Sequence, residues 1–208
     1  MQSQVVNILL ENERRNKVIN APFNPITGEG SILDREKVCI EDFPLPTQYL
    51  PKSMLKVPLI KKLIKAGSIR KFITDTLKSE YTESDKLKVI EQFIRVRIKH
   101  DFAFWTASYV YIKNKEGGED MRFRLNRPQR RFITKLEELR LANKPIRIVL
   151  LKARQWGGST ATQLYMAWLQ LVHKTGLNSL IVGHLSNSSA EVKDMFCVQV
   201  VTTPYITA

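Results

Sequence analysis

Nine consecutive residues, Lys152-Ala153-Arg154-Gln155-Trp156-Gly157-Gly158-Ser159-Thr160, bring together two cations, two adjacent glycines and two hydroxyls. Small residues at a strand-to-helix turn let successive backbone N–H groups face phosphate oxygens. The new helix adds the positive end of its dipole, and a hydroxyl can hold magnesium. Gly157, Gly158, Ser159 and Thr160 meet that need. Lys152 and Arg154 supply the cations that phosphoryl transfer requires where charge builds on the oxygens. The pattern departs from G-x-x-x-x-G-K-[ST], because Lys152 stands at the first glycine position and Gly158 at the lysine position. A glycine pair between a strand and a helix also arises for packing alone.

The elements that must position this turn follow from periodicity. Ile146-Arg147-Ile148-Val149-Leu150-Leu151 reads as a strand, and Leu164, Ala167, Trp168, Leu171 and Val172 repeat at helical spacing from about Ser159 onward. A second strand is expected at Ser179–Gly183 and a further helix from Ser188-Ser189-Ala190-Glu191, which has capping-box spacing. This βαβα alternation predicts an α/β fold with a parallel sheet and crossover helices. Upstream, Tyr109–Ile112 and Arg122–Leu125 flank a turn-rich segment and predict a hairpin. Pro128 then opens a helix whose buried face is Phe132, Ile133, Leu136 and Leu139. Residues 59–100 predict three short basic helices. The first has Leu59, Ile60, Leu63 and Ile64 inward and is capped by Gly67, the second starts after Ser68, and the third carries Leu87, Ile90, Ile94 and Ile98. Six of the nine prolines fall within residues 1–58, which read as an extended arm.

The 208 residues carry 33 Lys and Arg against 20 Asp and Glu, a net charge of +13, with a pI near 9.8. That balance points to a polyanionic partner, nucleic acid first, although a basic surface without a specialised partner has the same composition. Cys39 and Cys197 are too few and too far apart for a disulfide framework or a cysteine zinc site, and His100, His173 and His184 lack ligand spacing. Gln155–Val172 is free of charge, yet its glycines, hydroxyls and glutamines argue for a soluble helix and against a membrane span. The N-terminus lacks the pattern of a signal peptide, so the expected location is the cytoplasm.

About twenty residues before the glycine turn stands Asn126-Arg127-Pro128-Gln129-Arg130-Arg131, whose amides suit the donor and acceptor edge of adenine. Together, LNRPQRR and LLKARQWGGST resemble the large terminase subunits of tailed bacteriophages. Their ATPase domain begins with an adenine-contacting Gln segment and continues into a deviant Walker A of the type (K/S)-x-R-Q-x-G-x-[ST]. The resemblance covers residues 122 to 200. It implies a P-loop-type ATPase core, ATP and Mg2+ as cofactors, Lys152 and Arg154 as catalytic cations, and Ser159 on magnesium. Asn126 and Gln129 would lie at the base, with Gln155, Gly157, Gly158, Ser159 and Thr160 around the phosphates. It further implies double-stranded DNA, a portal and a small terminase subunit as partners. In step with this, residues 122–154 hold eleven Lys and Arg and only Glu137 and Glu138 as acids.

A packaging ATPase also uses a later strand ending in Asp-Glu and the acids of a nuclease domain, and neither occurs in this chain. Val38-Cys39-Ile40-Glu41-Asp42 lies upstream with the acids reversed. The chain is therefore expected to be an N-terminal part of such a protein, as from a split gene or a prophage remnant, with weak nucleotide binding. It would comprise an arm (1–58), a basic helical region (59–100) and an incomplete core (101–208) whose unpaired sheet edge invites self-association. The alternative is a non-enzymatic DNA-binding or assembly module in which the glycine turn is structural. Another P-loop motor, a helicase or recombinase, would carry Lys at position 158.

Overall fold

A computed structural model describes residues 2–20, 22–30, 34–112, 117–151, 156–174, 176–180 and 182. The chain divides into two compact units, Met1–Asp101 and Phe102–Ala208.

In the first unit, α1 (Gln2–Asn20) leaves Val5, Val6, Ile8, Leu9 and Leu10 exposed. Where an extended arm is expected, the chain builds an antiparallel hairpin, β1 (Arg35–Cys39) with β2 (Thr47–Pro51), in which Val38 faces Gln48. Pro44 and Pro46 sit in its turn and Pro51 at its end, so none removes a donor from inside the ladder. The preceding turn, Asn24–Gly28, is docked on this hairpin by the Tyr49 N–H on the Thr27 carbonyl at 2.7 Å. Gly28, at φ 78°, is required there because a Cβ would strike the Tyr49 carbonyl.

Four helices complete this unit: α2 (Lys52–Leu55), α3 (Pro58–Ala66), α4 (Ile69–Lys71), which continues as a π-helical turn over Phe72–Thr76, and α5 (Glu83–His100). Ile40, Leu50, Met54, Ile60, Leu63, Ile69, Phe72, Ile73 and Phe93 form the core, with the Phe43 and Phe93 rings 4.6 Å apart. Gly67 closes α3 at φ 70°, as its place after the apolar stripe predicts. Ser68 does not cap α4 with its own hydroxyl. Instead Asp42, brought over by the hairpin turn, accepts from the N–H groups of Ile69 (2.6 Å) and Arg70 (2.8 Å) and from the Ser68 hydroxyl (2.9 Å). Of the upstream acid pair, Asp42 thus has a capping role. The buried face of α5 is Val89, Phe93, Arg97 and Ile98, rotated from the expected one, and Leu87 is exposed. The rotation follows from Arg97, which is drawn inside by Gln48 and Asp101.

The second unit opens with α6 (Phe102–Tyr109), buried from Phe102 to Ala107. The expected hairpin is present and short, β3 (Tyr111–Ile112) pairing antiparallel with β4 (Met121–Arg122). It is followed by α7 (Arg127–Leu141) and α8 (Gly158–Trp168), which runs on as a π-helical turn to His173. Phe102, Trp105, Tyr165 and Trp168 form an aromatic cluster with ring centroids 5.5 to 5.8 Å apart. This cluster joins α6 to α8.

The fold is mixed helix and sheet, but the parallel sheet is not formed among the described residues. Both sheets there are two-stranded and antiparallel. Residues 146–151 have no ladder partner among the described residues, and Val149 and Leu151 are fully exposed. An apolar run marks a strand that suits burial, but the ladder depends on a neighbouring strand elsewhere in the chain. Within the second expected strand, Leu180 and Val182 are exposed, while Ile181 and Gly183 lie outside the described residues, as does the whole of the helix expected from Ser188.

Candidate functional site

Asn126 is the N-cap of α7. Its Oδ1 accepts from the Gln129 N–H and the Gln129 Oε1 accepts from the Asn126 N–H, both at 2.9 Å, a reciprocal capping box followed by Pro128 in the first turn. The opposite ends of both amides reach the glycine turn. Asn126 Nδ2 donates to the Trp156 carbonyl at 3.1 Å and Gln129 Nε2 to the Gly157 carbonyl at 2.9 Å. Gln129 is only 4% exposed. The two amides read from sequence as base contacts therefore cap α7 and hold the turn before α8 at the same time.

Gly157 is the residue from which α8 departs, at φ 77° and ψ 23°. A Cβ there would come within 2.4 Å of Gln129 Nε2, and one on Gly158 within 2.4 Å of the Trp156 indole. Trp156 is itself braced edge-on against Phe132, with ring centroids 6.0 Å apart. Both glycines are thus demanded by close packing, and Gly157 also by its backbone conformation.

Among the described residues no side chain caps α8. The first intrahelical bond of this turn runs from the Ala161 N–H to the Gly157 carbonyl at 3.1 Å, so the N–H groups of Gly158, Ser159 and Thr160 lie ahead of the ladder. The indole N–H of Trp156, packed beside Gly158, is buried with no hydrogen-bond partner among the described residues. Ser159 is exposed, Thr160 is half-buried, and the Thr162 hydroxyl donates back to the Gly158 carbonyl at 2.9 Å. An excess of donors beside a helix N-terminus is chemically suited to an anion.

Asn126, Gln129, Gly157 and Gly158 are therefore brought together, with Ser159 and Thr160 in the turn that follows. Lys152, Arg154 and Gln155 lie outside the described residues. Among the described residues no group of three or more His, Cys, Asp or Glu is placed to hold a metal ion. The exposed Ser159 hydroxyl fits Mg2+ only in the manner of a site that shares the ion with phosphate oxygens and water. On α7, burial and then the neighbouring Arg127 charge pull the Arg130 pKa down.

Periodicity does not reveal the polar cluster on the other side of α8. Tyr165 Oη donates to Glu137 Oε1 at 2.6 Å, and Arg140 grips both Glu137 oxygens at 2.7 Å while its guanidinium lies 5.3 Å from the Trp168 ring centroid. The Glu137–Arg140 spacing was visible in the sequence, but Tyr165 stands 28 residues away.

No helix among the described residues is long and apolar enough to cross a membrane. Comparison with known proteins gives no match to a family model, a curated protein or a solved structure.

Proposed function

We propose that the turn opening α8 receives the phosphates of ATP, and that the chain is the N-terminal part of a large terminase of the kind that drives double-stranded DNA into a procapsid. The observation that carries this reading is the surplus of donors at the uncapped start of α8, with the Trp156 indole N–H orphaned beside it. Lys152 and Arg154, at the start of the same loop, bring the positive charge that phosphoryl oxygens need, and Ser159 offers the hydroxyl for Mg2+. In this reading Asn126 and Gln129 hold the loop in shape, and any contact with adenine uses the hydrogen-bonding capacity their amides have left. Residues 146–151 and 179–183 would be strands of a parallel sheet completed in the intact protein. Their exposed Ile148, Val149, Leu151, Leu180 and Val182 would then be covered. The portal, the small terminase subunit and the cytoplasm of the host cell belong to the same proposal.

Calorimetric titration with magnesium and a non-hydrolysable ATP analogue tests it. The wild-type chain is expected to bind, and a Lys152→Ala, Arg154→Ala double variant to lose binding. Absence of binding by the wild type would overturn the nucleotide reading. One observation favours a second reading, a non-enzymatic binding or assembly module: the contacts of Gln129 and Trp156 already account for both glycines without a ligand.

A further inference from the structure

The charge of the first unit is concentrated in one stretch. Residues 52–78 carry eight Lys and Arg and one acid, Asp75, whereas the other residues of Met1–Asp101 carry ten Lys and Arg against twelve Asp and Glu. The stretch coincides with α2, α3 and α4. On α3, Ile60 and Leu63 are fully buried, which turns Lys61, Lys62 and Lys65 to the solvent face, and Arg70 and Lys71 are exposed on α4. These three lysines and Lys71 form no ion pair with any described residue. Two acids approach from the hairpin turn. Asp42 is engaged by the N-terminal N–H groups of α4, and Glu41 is placed by its N–H on the Gly67 carbonyl at 3.0 Å, so the region keeps a clear positive excess.

The chemistry of this face selects its partner. Within residues 52–78 the only exposed large hydrophobic side chain is Leu77, beyond the end of α4 and its π-helical turn. A protein partner would ordinarily be anchored by aromatic or aliphatic groups, and stable attachment to a membrane ordinarily adds an apolar or lipid anchor to a basic patch. Seven of the eight cations are lysines, which act as mobile point charges and not as planar forks for base edges. We propose that the solvent face of α3 and α4, centred on Lys61, Lys62 and Lys65, binds the phosphate backbone of double-stranded DNA without regard to sequence. The proposal does not rest on the α8 turn, and it holds whether or not that turn binds nucleotide.

The test measures binding of the full chain to a short mixed-sequence DNA duplex over a range of salt concentrations. Lys61→Gln, Lys62→Gln, Lys65→Gln is compared with a control of equal charge loss, Lys86→Gln, Lys88→Gln, Lys99→Gln, on α5. The logarithm of the binding constant should fall linearly with the logarithm of salt concentration, and the α3 variant should bind more weakly with a slope shallower by about three. The control should keep most of the slope. Because all six lysines reach solvent, both variants should retain the wild-type circular dichroism spectrum. Equal loss in the two variants would reduce the effect to net charge and overturn the assignment. So would wild-type binding by the α3 variant, or a preference for phosphatidylserine vesicles over duplex at equal phosphate.

Discussion

Gln129 Nε2 donates to the Gly157 carbonyl at 2.9 Å, so a side chain in the first turn of α7 fixes the backbone from which α8 departs. The same amide closes the capping box with Asn126, which makes one buried residue the hinge between two helix starts. Gln129→Ala removes both bonds and leaves the Asn126 N–H without its cap. The expected loss is roughly 1–3 kcal/mol of stability, read by urea denaturation. If nucleotide binds, ATP and GTP analogues should weaken by the same factor, because Gln129 acts on the loop. Selective loss of the adenine nucleotide would assign it to the base instead.

Gly157 and Gly67 both have positive φ, but their surroundings differ. A Cβ on Gly157 meets Gln129, whereas nothing lies within 4 Å of one on Gly67. Gly157→Ala should therefore cost about 2 kcal/mol or more, the backbone penalty plus displacement of Gln129. Gly67→Ala should cost only the backbone penalty of roughly 1 kcal/mol. Gly67→Asn should recover part of that loss, and Gly157→Asn should not. Paired thermal melts separate the two cases, and equal costs would contradict the packing account.

Asp101 anchors the most buried polar network in the first unit. Its carboxylate accepts two bonds from Arg35, at 2.8 and 2.7 Å, and one from Arg97 Nε at 3.3 Å. Arg97 also donates to Gln48 at 2.7 Å. Burial pulls the Arg97 pKa down, and Asp101 works in the opposite direction. Asp101→Asn removes the carboxylate that the buried Arg35 and Arg97 guanidiniums share and should destabilise the fold by about 3–5 kcal/mol. Arg35→Met or Arg97→Met in the same background should restore part of the loss. A substitution at Asp101 that left the denaturation midpoint unchanged would refute the role given to this network.

Tyr165 should be slow to ionise. Burial, then the charge of Glu137, raises its hydroxyl pKa well above the ordinary value of 10.0. A group with a raised native pKa contributes stability that is complete below its unfolded value and declines as pH rises beyond it. The contribution of Tyr165 should thus be intact up to about pH 10 and fall at more alkaline pH. Ultraviolet titration of the six tyrosines should show a late component coupled to unfolding, absent from Tyr165→Phe. That variant also removes one of the hydrogen bonds Glu137 accepts, while Arg140 keeps its two, and should cost about 1 kcal/mol at neutral pH.

Local signals in the sequence were sufficient for features made by neighbouring residues. Apolar spacing marks α3, α7 and α8, Gly67 ends α3, Pro128 sits in the first turn of α7, and the segments around residues 117–120 close a hairpin. Each depends on contacts between residues near in the chain, which periodicity and turn chemistry encode directly. Other features depend on which distant groups meet. The tertiary fold turned the proline-rich segment into a hairpin, set Asp42 on α4, and drew Arg97 inward and so rotated the buried face of α5. It also joined Asn126 and Gln129 to the turn at Gly157. Residues 146–151 show the same limit from the other side. An apolar β-prone run states what a segment can do, but a strand exists only where a second strand supplies its hydrogen bonds, and that partner is a property of the folded chain.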